Sequence, residues 1–161
     1  MKRILLTLFA ALICSHSQPT LAGSATSSLQ VSVTVDQSCV IATTALSFMT
    51  YSPFATVPND AAGAVTIHCT AGTIANIGLD CGTSCTAGVP YMRNGSLAIS
   101  YSLSQNAART TPWGNTSATW LTTPPAPDTN AQVYNVYGRI PAAQPAPSGN
   151  YADTVTATVN F

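Results

Sequence analysis

The most constraining feature of the sequence is a one-by-one alternation of apolar and polar residues that recurs in short segments. Such alternation places the apolar side chains on one face of a β-strand, whereas an amphipathic helix repeats them every three to four residues. The segments with strand character are residues 29–35, 64–70, 74–80, 97–103, 132–140 and 153–161. Turn-forming or proline-rich stretches separate them, and no amphipathic helix pattern occurs. The sequence therefore predicts an all-β fold, a β-sandwich of several short strands.

Turn signals mark the connections between these segments. The cluster PNDAAG at residues 58–63 predicts a turn, and the polar and proline-rich residues 104–131 predict irregular structure with a short strand around Trp120. Asn94 and Gly95 stand between two apolar runs, and both tolerate the positive φ of a type I′ turn. They predict a β-hairpin with these two residues at its turn.

Charge is scarce after residue 22, where the chain contains neither Lys nor Glu. The remaining charges are three arginines, Arg93, Arg109 and Arg139, against five aspartates, Asp36, Asp60, Asp80, Asp128 and Asp153. Without a basic patch to neutralise phosphates, nucleic acid is not an expected partner. So few charges also give weak self-repulsion, which suits a protein that packs against copies of itself.

The first 22 residues are typical of a secretory signal peptide. Lys2 and Arg3 precede an apolar run, residues 4–13, and Thr20-Leu21-Ala22 fits a cleavage site with small residues. The sequence thus predicts export through the periplasm to the cell surface or the medium. Cys14 follows the bulky Ile13 and is expected to be discarded with the signal rather than lipidated.

Four cysteines remain after the predicted cleavage, namely Cys39, Cys69, Cys81 and Cys85. An even number in an oxidising compartment predicts two disulfides, for which three connectivities exist. The compact Cys81-Gly-Thr-Ser-Cys85 segment favours a local pair, which leaves Cys39 to pair with Cys69. The alternative is a zinc site formed by His68, Cys69, Cys81 and Cys85, although their spacing matches no standard zinc pattern.

Catalytic chemistry has little material in this chain. His68 is the one histidine after residue 22, no Gly-x-Ser-x-Gly motif occurs, and Asp153 at a strand entrance suits turn capping. We therefore predict no enzyme activity, no cofactor and no metal. The aromatic residues, which include Trp113 and Trp120, leave a sugar-binding platform as an alternative, although aromatics in small β domains are more commonly core or interface.

Motifs spread over the chain after residue 22 resemble those of one family. An apolar strand precedes Cys39, and the later stretches are Leu46-Ser47-Phe48 with Tyr51, residues 65–70, residues 77–80, residues 94–97 with Tyr101, residues 137–141 with Gln144, and residues 149–155 leading to Phe161. In their order and spacing they are similar to the spore coat U domain family, which includes pilins of the archaic chaperone–usher pathway. Met49 departs from the pattern, because relatives often have Gly after the Phe, and the Cys81 and Cys85 pair is an addition to it.

The resemblance implies an incomplete immunoglobulin-like β-sandwich that lacks its last strand and is completed by a donor strand. A periplasmic chaperone lends a strand to the gap, and the N-terminal strand of the next subunit replaces it at the outer-membrane usher. The implied partners are neighbouring pilin subunits, in a homo- or heteropolymer, together with the chaperone and the usher.

The resemblance also implies a role for each end of the chain. Residues 23–37 would be the donor segment, and residues 38–161 would form the acceptor domain. The expected donor face consists of Leu29, Val31, Val33 and Val35. The expected groove-lining and chaperone-contacting residues are Val155, Ala157, Val159 and Phe161, with the Phe161 carboxylate placed for a basic anchor on the chaperone.

The predicted function is that of a structural pilus subunit that polymerises by donor-strand exchange and supports adhesion or biofilm formation. Three alternatives stay open. Residues 29–35 could be the ordinary first strand of a complete domain. The protein could be a secreted spore-coat or extracellular-matrix component of the same fold. A carbohydrate-binding module is the third.

Overall fold

The structure is a computed structural model that describes residues 22–161. The predicted signal peptide lies outside the described residues, apart from Ala22. The chain divides into two units, Met1–Thr34 and Val35–Phe161. In the described part of the first unit, residues 22–34, every residue is exposed and neither strand nor helix is assigned. Over residues 22–161, no helix is long and apolar enough to cross a membrane.

The second unit is built from β-strands, which confirms the all-β prediction. Its nine strands are β1 Cys39–Thr44, β2 Asn59–Cys69, β3 Asn76–Leu79, β4 Tyr91–Asn94, β5 Leu97–Ser100, β6 Ser102–Ser104, β7 Leu121–Thr122, β8 Gln132–Ile140 and β9 Ala157–Asn160. They form a four-stranded sheet of order β1-β2-β8-β6, a three-stranded sheet of order β7-β3-β9 and the hairpin β4-β5. All pairings between these strands are antiparallel.

The two larger sheets pack their inner faces together and remain open at their edges, in agreement with the predicted immunoglobulin-like sandwich. From β2, Val65, Ile67 and Cys69 are buried, as their alternation predicted, and they contact Ile77 and Leu79 of β3 in one cluster. His68 is exposed on the opposite face of β2. The strands β1 and β9, which begin and end the fold, each occupy a free edge of their sheet.

A disulfide fixes the first strand to the centre of its sheet. Cys39 and Cys69 stand opposite each other in the β1–β2 ladder, with their Cα atoms 4.1 Å apart, and their sulfurs are bonded. The second disulfide joins Cys81 to Cys85. This is the connectivity that the sequence favoured.

Three elements differ from the sequence predictions. Residues 59–63, predicted as a turn, belong to β2, because their small side chains pair across with residues 136–140 of β8. Residues 97–103 do not form one strand: they break at Tyr101, so that β5 pairs with β4 and β6 pairs with β8. The last regular strand begins only at Ala157, and residues 153–156 that precede it have no strand assignment.

The predicted hairpin is present, but its turn is one residue further along the chain. Asn94 pairs with Leu97, so the two turn residues are Gly95 and Ser96. Gly95 has a φ of +60°, and Ser96 is not among the residues with positive φ. A two-residue turn with positive φ at its first position alone corresponds to type II′, in which that position needs glycine. Asn94 is therefore a strand residue rather than a turn residue.

This turn register predicts unequal effects of two neighbouring substitutions. Gly95→Ala should lower the free energy of unfolding by about 1–2 kcal/mol, because an L-residue is disfavoured at positive φ. Ser96→Ala should change it by less than about 0.5 kcal/mol, as at an ordinary surface position. Urea denaturation followed by circular dichroism measures both. Equal losses for the two variants would contradict the assigned turn.

Candidate functional site

An open groove of about 860 Å³ lies between the segment that follows β1 and the segment that precedes β9. One wall is formed by residues 43–51 and the other by residues 146–155 with Ala157. The two walls run from the free edges of two different sheets, because β1 ends one sheet and β9 ends the other. The groove therefore occupies the position where a further strand would join the two edges.

The floor of the groove is the hydrophobic core itself. It is lined by Val65, Leu79, Ile99, Tyr101, Leu103, Val136 and Ile140. The core consists of two clusters, and the only partly buried residues that pack against both are Leu103 and Val155, within the described part of the chain. An apolar strand inserted here would cover the floor and add contacts to both clusters.

The first wall is held against the sheet without being a strand. Leu46 and Phe48 pack so closely on Gly138 of β8 that a Cβ atom at Gly138 would collide with them. Asn59 donates through Nδ2 to the carbonyls of Phe48 and Thr50, at 3.1 and 3.0 Å. The Tyr51 hydroxyl donates to the Pro141 carbonyl at 3.0 Å. The wall is thus fixed in place by side chains.

Met49 follows Phe48 in a conformation that favours glycine. Its φ is +58°, and its side chain is 89% exposed. This is the position where the sequence departs from the family pattern of Gly after Phe. The local turn is nevertheless formed, with a methionine in the left-handed region that L-residues rarely adopt.

The second wall is supported from behind by its neighbours. The backbones of Arg93 and Ala152 exchange two hydrogen bonds, of 2.8 and 3.1 Å. Further along, the Asp80 N–H donates to the Thr156 carbonyl at 3.0 Å, and the Asp80 carboxylate accepts from the Thr156 N–H at 2.9 Å. These bonds keep residues 152–156 extended up to the start of β9.

Both walls present unpaired backbone groups. Within residues 22–161, the N–H groups of Leu46, Phe48 and Val155 make no hydrogen bond. Exposed N–H and C=O groups along a sheet edge are the template for pairing with another strand. The groove combines this free backbone with an apolar floor, and the arrangement suits binding of an extended apolar segment.

Asp153 is the main polar group of the groove. Its Oδ2 accepts from the Tyr101 hydroxyl at 2.8 Å, and its Oδ1 accepts from the Thr83 hydroxyl at 2.7 Å and from the Ser84 N–H at 3.2 Å. Burial would raise the pKa of Asp153, but these hydrogen bonds outweigh it and lower the pKa below its ordinary value. Burial, and then the hydrogen bond to this carboxylate, raise the pKa of Tyr101. The pair is therefore ionised aspartate and neutral tyrosine at physiological pH.

The predicted site residues fall into different places. Val155 and Ala157 line the groove, whereas Val159 is partly buried against the core and Phe161 is 53% exposed outside the groove. Leu29, Val31, Val33 and Val35 are 74–87% exposed, and no strand is assigned to them. The sequence analysis did not predict that the first wall belongs to the site. The weak alternation of Leu46 and Phe48 was the one sequence feature that pointed to it.

Other candidate sites from the sequence have ordinary structural roles. Cys69, Cys81 and Cys85, which a zinc site would need as thiolates, are all in disulfides. Trp113 is buried and donates through Nε1 to the Ile77 carbonyl at 2.8 Å, so it belongs to the core and not to a sugar-binding surface. Among residues 22–161, no three His, Cys, Asp or Glu side chains are grouped as they would be to hold a metal ion.

Comparison with known proteins identifies relatives of the whole domain. The family model of the Spore Coat Protein U domain matches residues 25–158. The chain is 36% identical over 163 aligned residues to Protein U of Myxococcus xanthus, and the match covers 89% of this chain and 88% of that protein.

A solved structure shares the fold. The chain superposes with a TM-score of 0.55 and 23% identity on the crystal structure of the CsuC–CsuE chaperone–tip adhesion subunit pre-assembly complex from archaic chaperone–usher Csu pili of Acinetobacter baumannii. The match covers 80% of this chain and 40% of the solved chain, so this chain spans about two fifths of its length.

The conformation of Met49 predicts an order of stabilities. Met49→Gly removes the strain of positive φ but gains freedom in the unfolded chain, so the free energy of unfolding should stay equal or rise by up to about 1 kcal/mol. Met49→Val should lower it by about 1 kcal/mol or more, because a β-branched side chain fits this region worst. Urea denaturation measures both. A loss in the glycine variant as large as that in the valine variant would contradict the conformation.

The hydrogen bonds of Asp153 predict a dependence on pH. A carboxylate whose pKa is lowered by folding stabilises the protein above its unfolded pKa, about 3.9, and loses this effect as the pH falls through the folded pKa. At pH 7, Asp153→Asn should therefore be less stable than the wild type by about 1.5–3 kcal/mol. The difference should shrink as the pH falls below about 4. Denaturation from pH 7 to pH 2.5 measures it, and a constant difference would argue against the assigned role.

Proposed function

The chain belongs to the Spore Coat Protein U domain family, and on this premise we propose that it is a structural subunit of a chaperone–usher pilus. Each subunit would insert its own N-terminal strand into the groove of a neighbour. The observation that carries the proposal is the groove itself, because it lies over the hydrophobic core between two segments that leave backbone N–H groups unpaired.

The chain carries a segment with the properties that the groove requires. Leu29, Val31, Val33 and Val35 are spaced so that all four side chains would face one way in a strand, and all four are exposed. Burying each of them contributes about 1.5–3 kcal/mol, so four offer about 6–12 kcal/mol before the cost of ordering the segment is subtracted. Backbone hydrogen bonds to the unpaired edges add to this sum.

The direction of the strands supports an open, head-to-tail fibre. The chain enters β1 at Cys39, where the carbonyls of Asp36 and Ser38 lie within 3.4 Å of the Thr70 hydroxyl. The first wall of the groove extends to the opposite end, where Asn59 at the start of β2 binds it. A donor strand could enter the groove from the Asn59 end, with Leu29 entering first and Val35 remaining nearest that end, and it would then run antiparallel to β9. The Cys39 end of one domain would thus face the Asn59 end of the next domain. Such a contact joins two different surfaces and does not close on itself.

The same groove accounts for the further proposed partners. Unpaired backbone groups beside an apolar groove favour uncontrolled association, so a subunit on its way to the fibre needs a temporary cover. We assign this cover to a periplasmic chaperone that lends a strand and contacts the half-exposed Phe161. An outer-membrane usher would exchange the chaperone strand for the donor strand.

The proposal also fixes the roles of the chain segments. Residues 1–22 would direct export, residues 23–37 would be the donor segment and residues 38–161 the acceptor domain. Surface fibres of such subunits would support adhesion or biofilm formation.

A second candidate is a spore-coat or extracellular-matrix component of the same fold. It is supported by the 36% identity to Protein U of Myxococcus xanthus and by the description of the family. The two candidates differ in what occupies the groove. A pilus subunit takes a strand from a neighbour, whereas a self-contained coat protein folds without one.

The pilus subunit and the coat protein can be distinguished by comparing charge placed on the apolar face of the donor segment with charge placed on its polar face. Val31→Asp with Val33→Asp puts two carboxylates into the apolar floor, so SDS-resistant ladders of the mature protein should fall at least tenfold. Ser32→Asp with Thr34→Asp adds the same charge to the polar face and should leave the ladders intact. Electrophoresis of unboiled samples measures both.

Two outcomes would overturn the pilus proposal. Ladders that persist in the Val31→Asp, Val33→Asp variant would show that this face is not the donor. A wild-type protein that stays a monomer and unfolds cooperatively would favour the coat protein instead.

A further inference from the structure

A five-residue loop, closed by the bond between Cys81 and Cys85, stands behind the second wall of the groove. We propose that this loop together with Asp80, named the brace loop (residues 80–85), holds residues 153–156 in the conformation that accepts a strand before the strand arrives. The inference rests on the proposed function, because it concerns the same groove. The residues of the brace loop lie between β3 and β4 and belong to neither strand.

The brace loop continues the sheet beyond the point where regular pairing ends. The β3–β9 ladder stops at the pair of Leu79 and Ala157. Past it, the Asp80 N–H donates to the Thr156 carbonyl at 3.0 Å, and the Thr83 N–H donates to the Thr154 carbonyl at 3.1 Å. The second bond lies one residue out of register with the first, which is the pattern of a β-bulge. The wall segment therefore has a backbone partner along its length although no strand is assigned to it.

Two carboxylates add side-chain bonds at both ends of this segment. Asp80 accepts through Oδ1 from the N–H groups of Gly82 and Thr156, both at 2.9 Å. Asp153 accepts from the Thr83 hydroxyl and the Ser84 N–H. One carboxylate thus reaches from the brace loop to the wall and the other from the wall to the brace loop.

The brace loop and the second wall approach each other so closely that the loop needs a glycine at the contact. Gly82 has a φ of +80°, and a Cβ atom there would collide with the Asp153 carboxylate. The disulfide limits the conformations of the short ring in which Gly82, Thr83 and Ser84 lie, so that these groups stay aimed at the wall. Opening the ring leaves the same hydrogen-bonding groups on a freer chain.

The brace loop contacts one side of the second wall and leaves the side that faces the groove free for another strand. Val155 lies between the two braced positions, lines the groove, and has an N–H group without a partner in the described chain. A strand that meets an edge already in its bound conformation need not order it, and this preorganisation favours binding. The brace loop is therefore expected to speed strand capture rather than to touch the incoming strand.

The test removes the disulfide in the full mature chain. In the variant Cys81→Ser with Cys85→Ser, hydrogen exchange of peptides covering residues 152–157 should accelerate at least tenfold, while exchange in β2 stays unchanged. The initial rate of SDS-resistant ladder formation should fall at least fivefold. The control, Thr122→Ala, removes a 2.7 Å hydrogen bond to Asn76 at the far edge of the same sheet and should leave both readings unchanged.

Faster hydrogen exchange in β2 would show that the serine variant does not fold, and a second variant is needed for that case. Gly82→Ala keeps the disulfide but pushes against Asp153, and it should give the same two changes. Unchanged exchange at residues 152–157 would overturn the proposal, as would accelerated exchange with an unchanged ladder rate. If the wild type forms no ladders, the proposed function is wrong and the role of the brace loop in strand capture is wrong too. The hydrogen-exchange data would still decide whether the brace loop orders the second wall.

Discussion

The structure depends on one unmet pairing, between the segment that follows β1 and the segment that precedes β9. These two segments border a groove of about 860 Å³, and the core side chains that form its floor are buried except for the half-buried Leu103. Burial of apolar area is the main favourable term in folding, and an apolar strand that entered this groove would add to that term. Asn59 and Tyr51 fix the first wall by hydrogen bonds, and in the proposed function a second molecule supplies the strand that fills the groove.

Much of the fold could be predicted from local sequence patterns, because residues that are close in sequence determine strand alternation and short disulfide rings. The buried face of β2 follows from alternation, and the local ring of Cys81 and Cys85 follows from its length. For β8, alternation separated two faces but did not show which one is buried. The hairpin was also found, but its turn was misplaced by one residue. Asn94 and Gly95 both accept positive φ, and the choice between two registers depends on cross-strand pairing such as that of Asn94 with Leu97.

The site was harder to predict, because its parts are distant in sequence. The alternating residues 153–161 suggested one groove-lining strand. Of the four predicted groove residues, Val155 and Ala157 line the groove, whereas Val159 packs against the core beyond the groove and Phe161 also lies outside it. The first wall depends on Leu46 and Phe48 resting on Gly138, a contact that no local pattern of residues 45–48 contains. Residues 58–63 resembled a turn because small and polar residues serve turns and strand pairs alike.

The disulfide between Cys39 and Cys69 has a mechanical consequence in a fibre of the proposed kind. Tension would enter each domain through the segment that ends at Cys39, the first residue of an edge strand. Hydrogen bonds of an edge strand pulled from its end break one after another, as in unzipping. The sulfur–sulfur bond instead passes the load directly to β2, which is paired on both sides, so that the sheet is sheared as a whole and β1 is not peeled away.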